Sequence, residues 1–161
     1  PYPSNYAGTL LPGIREYTVT PGEKTTTISG KGKAGLKQEE NYYFFYLPVC
    51  YKGITGKSYA YYNTSRSKNL YLPASVDENY SYDIQLPENL TLCTPIQEKK
   101  IDNPIGSFKI TLTSEGSSLH IELALQIKKQ LITPAEYPAF RSLITEWTDR
   151  TRKPILFKTV Q

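Results

Sequence analysis

Residues 106–132, GSFKITLTSEGSSLHIELALQIKKQLI, decide the fold. In their first half Phe108, Ile110 and Leu112 alternate with Ser107, Lys109, Thr111 and Thr113. In their second half Leu119, Ile121, Leu123, Leu125 and Ile127 alternate with His120, Glu122, Ala124, Gln126 and Lys128. Successive side chains of a strand point to opposite faces, so each apolar set lies on one side. Ser114-Glu115-Gly116-Ser117 supplies turn residues between them. The stretch therefore reads as a long antiparallel hairpin with one dry face and one wet face. A dry face needs a second layer over it. The expected fold is all-β: a two-layer antiparallel β-sandwich with one C-terminal α-helix packed on it.

Outward from the hairpin, residues 133–136, Thr-Pro-Ala-Glu, form a capping-box pattern with Pro at a first helical position. Tyr137, Phe140, Ile144 and Trp147 follow at spacings of three and four and share a helix face, with Leu143 beside them. Pro138 allows the regular helix to start later. Basic residues Arg150, Arg152 and Lys153 suit the dipole at its end, and Pro154 stops it. Residues 155–160 read as a terminal strand or a docked tail.

Before the hairpin, strands are expected at 14–20, 24–29, 70–74, 80–86 and 90–94, with an edge strand at 99–102. Residues 75–78 read as a polar link and 36–40 as at most one helical turn. Residues 41–51, NYYFFYLPVCY, are apolar on both faces and read as a central strand up to Leu47. Residues 1–13 carry Pro and Gly without a period and read as a linker or tail from a preceding domain. Residues 14–161 are expected to form a single domain.

At 161 residues the chain is long enough to bury a core. No apolar run approaches the roughly 18 residues of a membrane span, and no signal peptide is recognisable. The chain opens on Pro1 and has no Met, which reads as a piece of something longer. The net charge of +4 is mild, and acids lie among the bases. A nucleic-acid partner is not expected, since it calls for a basic stripe. Fourteen Tyr, with much Thr, suit pleated, half-buried surfaces.

Candidate chemistry is sparse. His120 is the one His, on the wet face beside Glu122. A general-base role is conceivable for it, and a solvent-facing His is the plainer reading. Cys50 and Cys93 lie in strand-like runs without a CxxC. They are read as buried free thiols, with a single disulfide as the alternative in an oxidising compartment. Gly30-Lys31-Gly32-Lys33-Ala34-Gly35 spells G-x-G-x-x-G, yet lacks the helix and the later acid of a dinucleotide site. Asp77, Glu78 and Asp83 are close in sequence and make at best a weak cation site. No cofactor, metal site or catalytic residue is assigned. The binding candidates are Tyr59, Tyr61 and Tyr62, which have no evident buried partner and offer rings for a sugar or a peptide.

Three segments, YYFFYLPVCYKGI (42–54), LYLPASVDENYSYDIQLPENLTL (70–92) and the run from 106 to 147, carry a resemblance. Its features are Leu72-Pro73 at a strand end, Tyr-x-Tyr-x-Ile-x-Leu-Pro at 80–87, and Pro-x-x-Tyr-x-x-Phe opening the last helix. Over roughly residues 28–157 the chain resembles a bacterial domain of unknown function that closes transglutaminase-like proteins. In those proteins it follows an N-terminal β-sandwich and a papain-like transglutaminase core. The resemblance implies a periplasmic or extracellular accessory domain. Its partner would be the transglutaminase- or protease-like domain of the same polypeptide, and any Cys-His-Asp triad would lie upstream of Pro1. The expected function is thus non-catalytic docking and support. The alternative is a carbohydrate- or peptidoglycan-binding sandwich that uses exposed Tyr residues.

Overall fold

The computed structural model describes residues 14–23, 25–33, 35–47, 54, 65–149 and 154–160. Its centre is the predicted hairpin. Strand β9 (Gly106–Glu115) pairs antiparallel with β10 (Ser118–Ile127), from Glu115↔Ser118 to Gly106↔Ile127. The turn is tighter than the sequence suggests, with only Gly116 and Ser117 between the strands. Gly116 has φ 57°, a conformation that costs glycine little and other residues more.

Two strands extend this pair into a four-stranded sheet. β6 (Val76–Gln85) lies beside β10, and β8 (Gln97–Asn103) lies beside β9 at the other edge. Residues 75–78 are thus mostly strand and not a link. Val76 pairs with Ile127 and Glu78 with Leu125, so the long partner strand imposes the extended form on a polar stretch.

A second four-stranded sheet has the order β3-β4-β12-β7, with every neighbouring pair antiparallel. Its members are β3 (Lys37–Glu39), β4 (Tyr42–Tyr46), β12 (Pro154–Thr159) and β7 (Leu90–Leu92). Residues 37–39 are therefore strand and not helix. Their pairing Lys37↔Phe44 to Glu39↔Tyr42 supplies hydrogen bonds that so short a helix could not. Two two-stranded ribbons are the remaining strands among the described residues. β1 (Ile14–Pro21) pairs with β2 (Thr26–Gly32), and β5 (Leu70–Tyr71) pairs with β11 (Leu131–Ile132).

The helix α1 (Tyr137–Thr148) buries Tyr137, Phe140, Leu143, Ile144 and Trp147, the face the spacing predicts. Pro138 falls in its first turn. The capping box forms just ahead of it. Thr133 N–H donates to Glu136 Oε2 at 3.1 Å, and Glu136 N–H donates to Thr133 Oγ1 at 3.4 Å. Residues 150–153, with the three bases expected near the helix end, lie outside the described residues.

The helix and the small sheet share the dry face of the large sheet. Phe108, Ile110, Leu125 and Ile127 pack with α1, Leu70 and Ile132 in one cluster. Leu112, Leu119 and Ile121, further along the same face, pack with Ile155, Phe157 and Leu90 of the small sheet in the other. The fold is the expected antiparallel β-sandwich with one helix near its C-terminal end. The helix sits in the second layer beside the small sheet.

Candidate functional site

The wet face of the large sheet carries a row of charged groups. Alternation places Asp83 on β6, His120 and Glu122 on β10, and Lys109, Thr111 and Thr113 on β9 there. In register, His120 stands between Asp83 and Thr113. His120 Nδ1 lies 2.8 Å from Asp83 Oδ1, and Nε2 lies 3.5 Å from Glu122 Oε1. Lys109 Nζ donates to Glu122 Oε2 at 2.6 Å. The groups form a chain of alternating charge across three strands.

A neutral imidazole has one N–H and can donate to one carboxylate, whereas an imidazolium donates to both. The hydrogen bond to Asp83, then that to Glu122, raises the His120 pKa above its ordinary value. Lys109, followed by His120, lowers that of Glu122. This favours a charged strut over a free base, since both ring nitrogens are engaged by carboxylates. The His120 side chain keeps 44% of its exposure. With Asp83, Gln85, Thr113, Glu115 and Ser118 it lines an open depression of about 310 Å³.

The other sequence candidates do not converge. Asp77 and Asp83 are exposed on the wet face, while Glu78 points inward. Glu78 accepts the Ile54 N–H at 2.6 Å and the Tyr80 hydroxyl at 3.1 Å. Among the described residues no three His, Cys, Asp or Glu side chains are grouped to hold a metal ion. Gly30 and Gly32 lie within β2 and not at a helix start. Cys93 is a half-buried free thiol, and Cys50 lies outside the described residues. Tyr59, Tyr61 and Tyr62 also lie outside them. Within the described residues no helix is long and apolar enough to cross a membrane.

A second surface lies on the outer side of the small sheet. Ile155 and Phe157 of β12 point into the core, which turns Leu156 outward. Tyr42 and Tyr46 of β4 are 44% and 54% exposed, with half-buried Phe44 between them. In register, Glu39, Tyr42 and Lys158 make one row across the strands, and Lys37, Phe44 and Leu156 make the next. Lys37 Nζ sits 5.6 Å from the Tyr46 ring centroid, within cation–π range. Residues 41–51 read from the sequence as a central strand apolar on both faces, and alternation puts Tyr42, Phe44 and Tyr46 on the same one. The strand is central in its sheet, yet Tyr42 and Tyr46 at the two ends of this face are exposed. The available signal was the Tyr-x-Phe-x-Tyr pattern itself, with hydroxyl-bearing rings at both ends.

Residues 41–157 match the family described as "Domain of Unknown Function with solved-structure structure (DUF3858)". The chain belongs to this family. The DUF3858 unit opens at β4 and closes in β12, so β1, β2 and β3 precede it. No curated protein matches the chain. A solved structure similar to this DUF3858 chain is that of a "putative protease" from Parabacteroides distasonis ATCC 8503, with TM-score 0.67 and 31% sequence identity. The similarity covers 76% of this chain and 24% of the Parabacteroides chain. This chain therefore spans about a quarter of that protein's length.

Proposed function

We propose that this DUF3858 chain is a non-catalytic accessory domain of a longer polypeptide in the bacterial periplasm or outside the cell. It docks on and supports a transglutaminase- or protease-like catalytic domain of that polypeptide. The observation that carries the reading is the Parabacteroides protein, in which a unit similar to this one occupies 24% of a chain described as a "putative protease". The resemblance of residues 42–54, 70–92 and 106–147 to the closing domain of transglutaminase-like proteins supports a catalytic partner of that class. On the wet face both His120 nitrogens face carboxylates, which suits a structural ion pair.

The test uses the full polypeptide that carries the domain. Deleting residues 41–157 should lower the thermal midpoint of the remaining catalytic part, read by calorimetry, and His120→Ala in the intact polypeptide should leave turnover within about twofold. An unchanged midpoint after deletion would overturn the supporting role. A hundredfold loss of turnover in the folded His120→Ala variant would overturn the non-catalytic one.

A further inference from the structure

The β1–β2 ribbon stands apart from the body. Among the described residues no third strand pairs with it, and neither apolar cluster holds any of its residues. A two-stranded hairpin alone in water is marginally stable at best, and further strands on a shared apolar face are what make it persist. By register Val19 stands opposite Ile28 on one face, while Thr18, Thr20, Thr27 and Ser29 lie on the other. Val19 is 41% exposed and Ile28 is half-buried, so this apolar pair is only partly covered.

The two edges of the ribbon differ. An edge that stays unpaired usually carries charges, a Pro or a bulge. β1 has all three: Arg15 and Glu16, Pro21, and a shift of register between Ile14 and Glu16. β2 reads Thr-Thr-Ile-Ser-Gly-Lys-Gly and is uncharged up to Lys31. Its outer edge offers backbone N–H and C=O groups to another strand, and Thr and Ile favour the extended form. β2 is also its own complement. Laid antiparallel to a copy of itself about Ile28, Thr27 meets Ser29, Thr26 meets Gly30 and Thr25 meets Lys31. Just beyond the strand Glu23 meets Lys33, both exposed, and the twofold makes this opposite-charge pair twice. No like charges face each other from 23 to 33. Two copies of the Val19–Ile28 pair then join in one row across four strands, which gives each Ile28 the apolar neighbour it lacks.

We propose that the outer edge of β2 is a self-association surface, where two copies of this chain join β2 to β2 about Ile28 in a four-stranded antiparallel sheet. The ribbon precedes the family unit at 41–157, and its pairing does not depend on the accessory-domain reading above.

The test uses the full polypeptide that carries the chain, in sedimentation velocity over a concentration series. The expected result is a monomer–dimer equilibrium. Ile28→Lys and Ile28→Glu each set like charges face to face at the twofold and should weaken dimerisation roughly tenfold, and mixing the two variants should restore it. Photo-cross-linking from p-benzoylphenylalanine at Ser29, with isotope-labelled and unlabelled copies mixed, locates the contact by mass spectrometry. Its links should fall within residues 25–31 of the other copy. A monomer at every concentration would overturn the proposal. So would a dimer that both variants leave intact, or folded variants that do not regain association on mixing. Links from position 29 into the same copy, into other parts of a second copy, or into sequence outside residues 1–161 would overturn it as well. Should either variant fail to fold, the cross-link map decides alone.

Discussion

At the scale of single residues, the hairpin depends on what Gly106 lacks. A Cβ built there would lie 1.8 Å from the Gln126 carbonyl oxygen and 3.1 Å from Ile127 Cα. Both are backbone atoms of the paired strand, so no side-chain rotation relieves the clash. Gly106→Ala should therefore destabilise the protein by about 1–3 kcal/mol, the range for forcing atoms into a packed site. A urea midpoint unchanged from wild type would contradict it. His120 acts differently, because its contribution depends on charge. Its pKa is raised in the folded chain, so the folded state binds the proton more tightly than the unfolded one. The stabilisation is complete below the ordinary value of 6.5 and is lost as pH rises through the folded value. The gap in thermal midpoint between wild type and His120→Ala should be widest near about pH 5.5 and narrower near about pH 9. An equal gap at both values would show that the imidazole acts by packing alone.

At the scale of elements, hydrogen bonding explains which parts of the fold were readable. The hairpin and α1 declare themselves locally, through alternation at 106–132 and through apolar spacing from Tyr137 to Trp147. The capping box declares itself too, and its electrostatics follow. Lys129, then the Thr133 N–H and hydroxyl, hold the Glu136 carboxyl down at about 2. That support is present above the ordinary 4.5 and is lost as pH falls toward 2. Thr133→Ala removes both an acceptor for Glu136 N–H and a donor to its carboxylate. It should cost about 1 kcal/mol at neutral pH, while Thr133→Ser should cost less. Chemical denaturation of the two variants checks the order, and equal losses would mean that the hydroxyl is not what matters. The unreadable elements owe their form to partners distant in sequence. Residues 37–39 have no period of their own and are strand because β4 lies beside them. Asp77 and Glu78 are extended because β10 is long enough to pair with them. The exposure of Tyr42 and Tyr46 was hidden for the same reason. A both-sides-apolar strand is equally what a fully covered one looks like, and only tertiary structure says which layers exist.

At the scale of the whole molecule, the two apolar clusters have separate linings but a common floor. Phe108, Ile110 and Leu125 lie under α1, while Leu112, Leu119 and Ile121 lie under the small sheet, all on the same two strands. Neither half can lose its cover without exposing part of a hairpin that the other half needs, which is the condition for all-or-none unfolding. Trp147, the one Trp of the chain, packs edge-on against Phe108 at 6.5 Å and so reports on the helix half. Phe157 is fully buried in the other half and belongs to no contact set with Trp147 among the described residues. Phe157→Ala should cost about 3–5 kcal/mol through the cavity it leaves. If the halves are coupled through β9 and β10, this distant change moves the Trp147 fluorescence midpoint by as much as it moves the far-ultraviolet circular dichroism midpoint. Were the fluorescence transition to stay at its wild-type position while the dichroism shifted, the helix and the small sheet would cover independently folding parts. The shared floor would then fail to transmit stability between them.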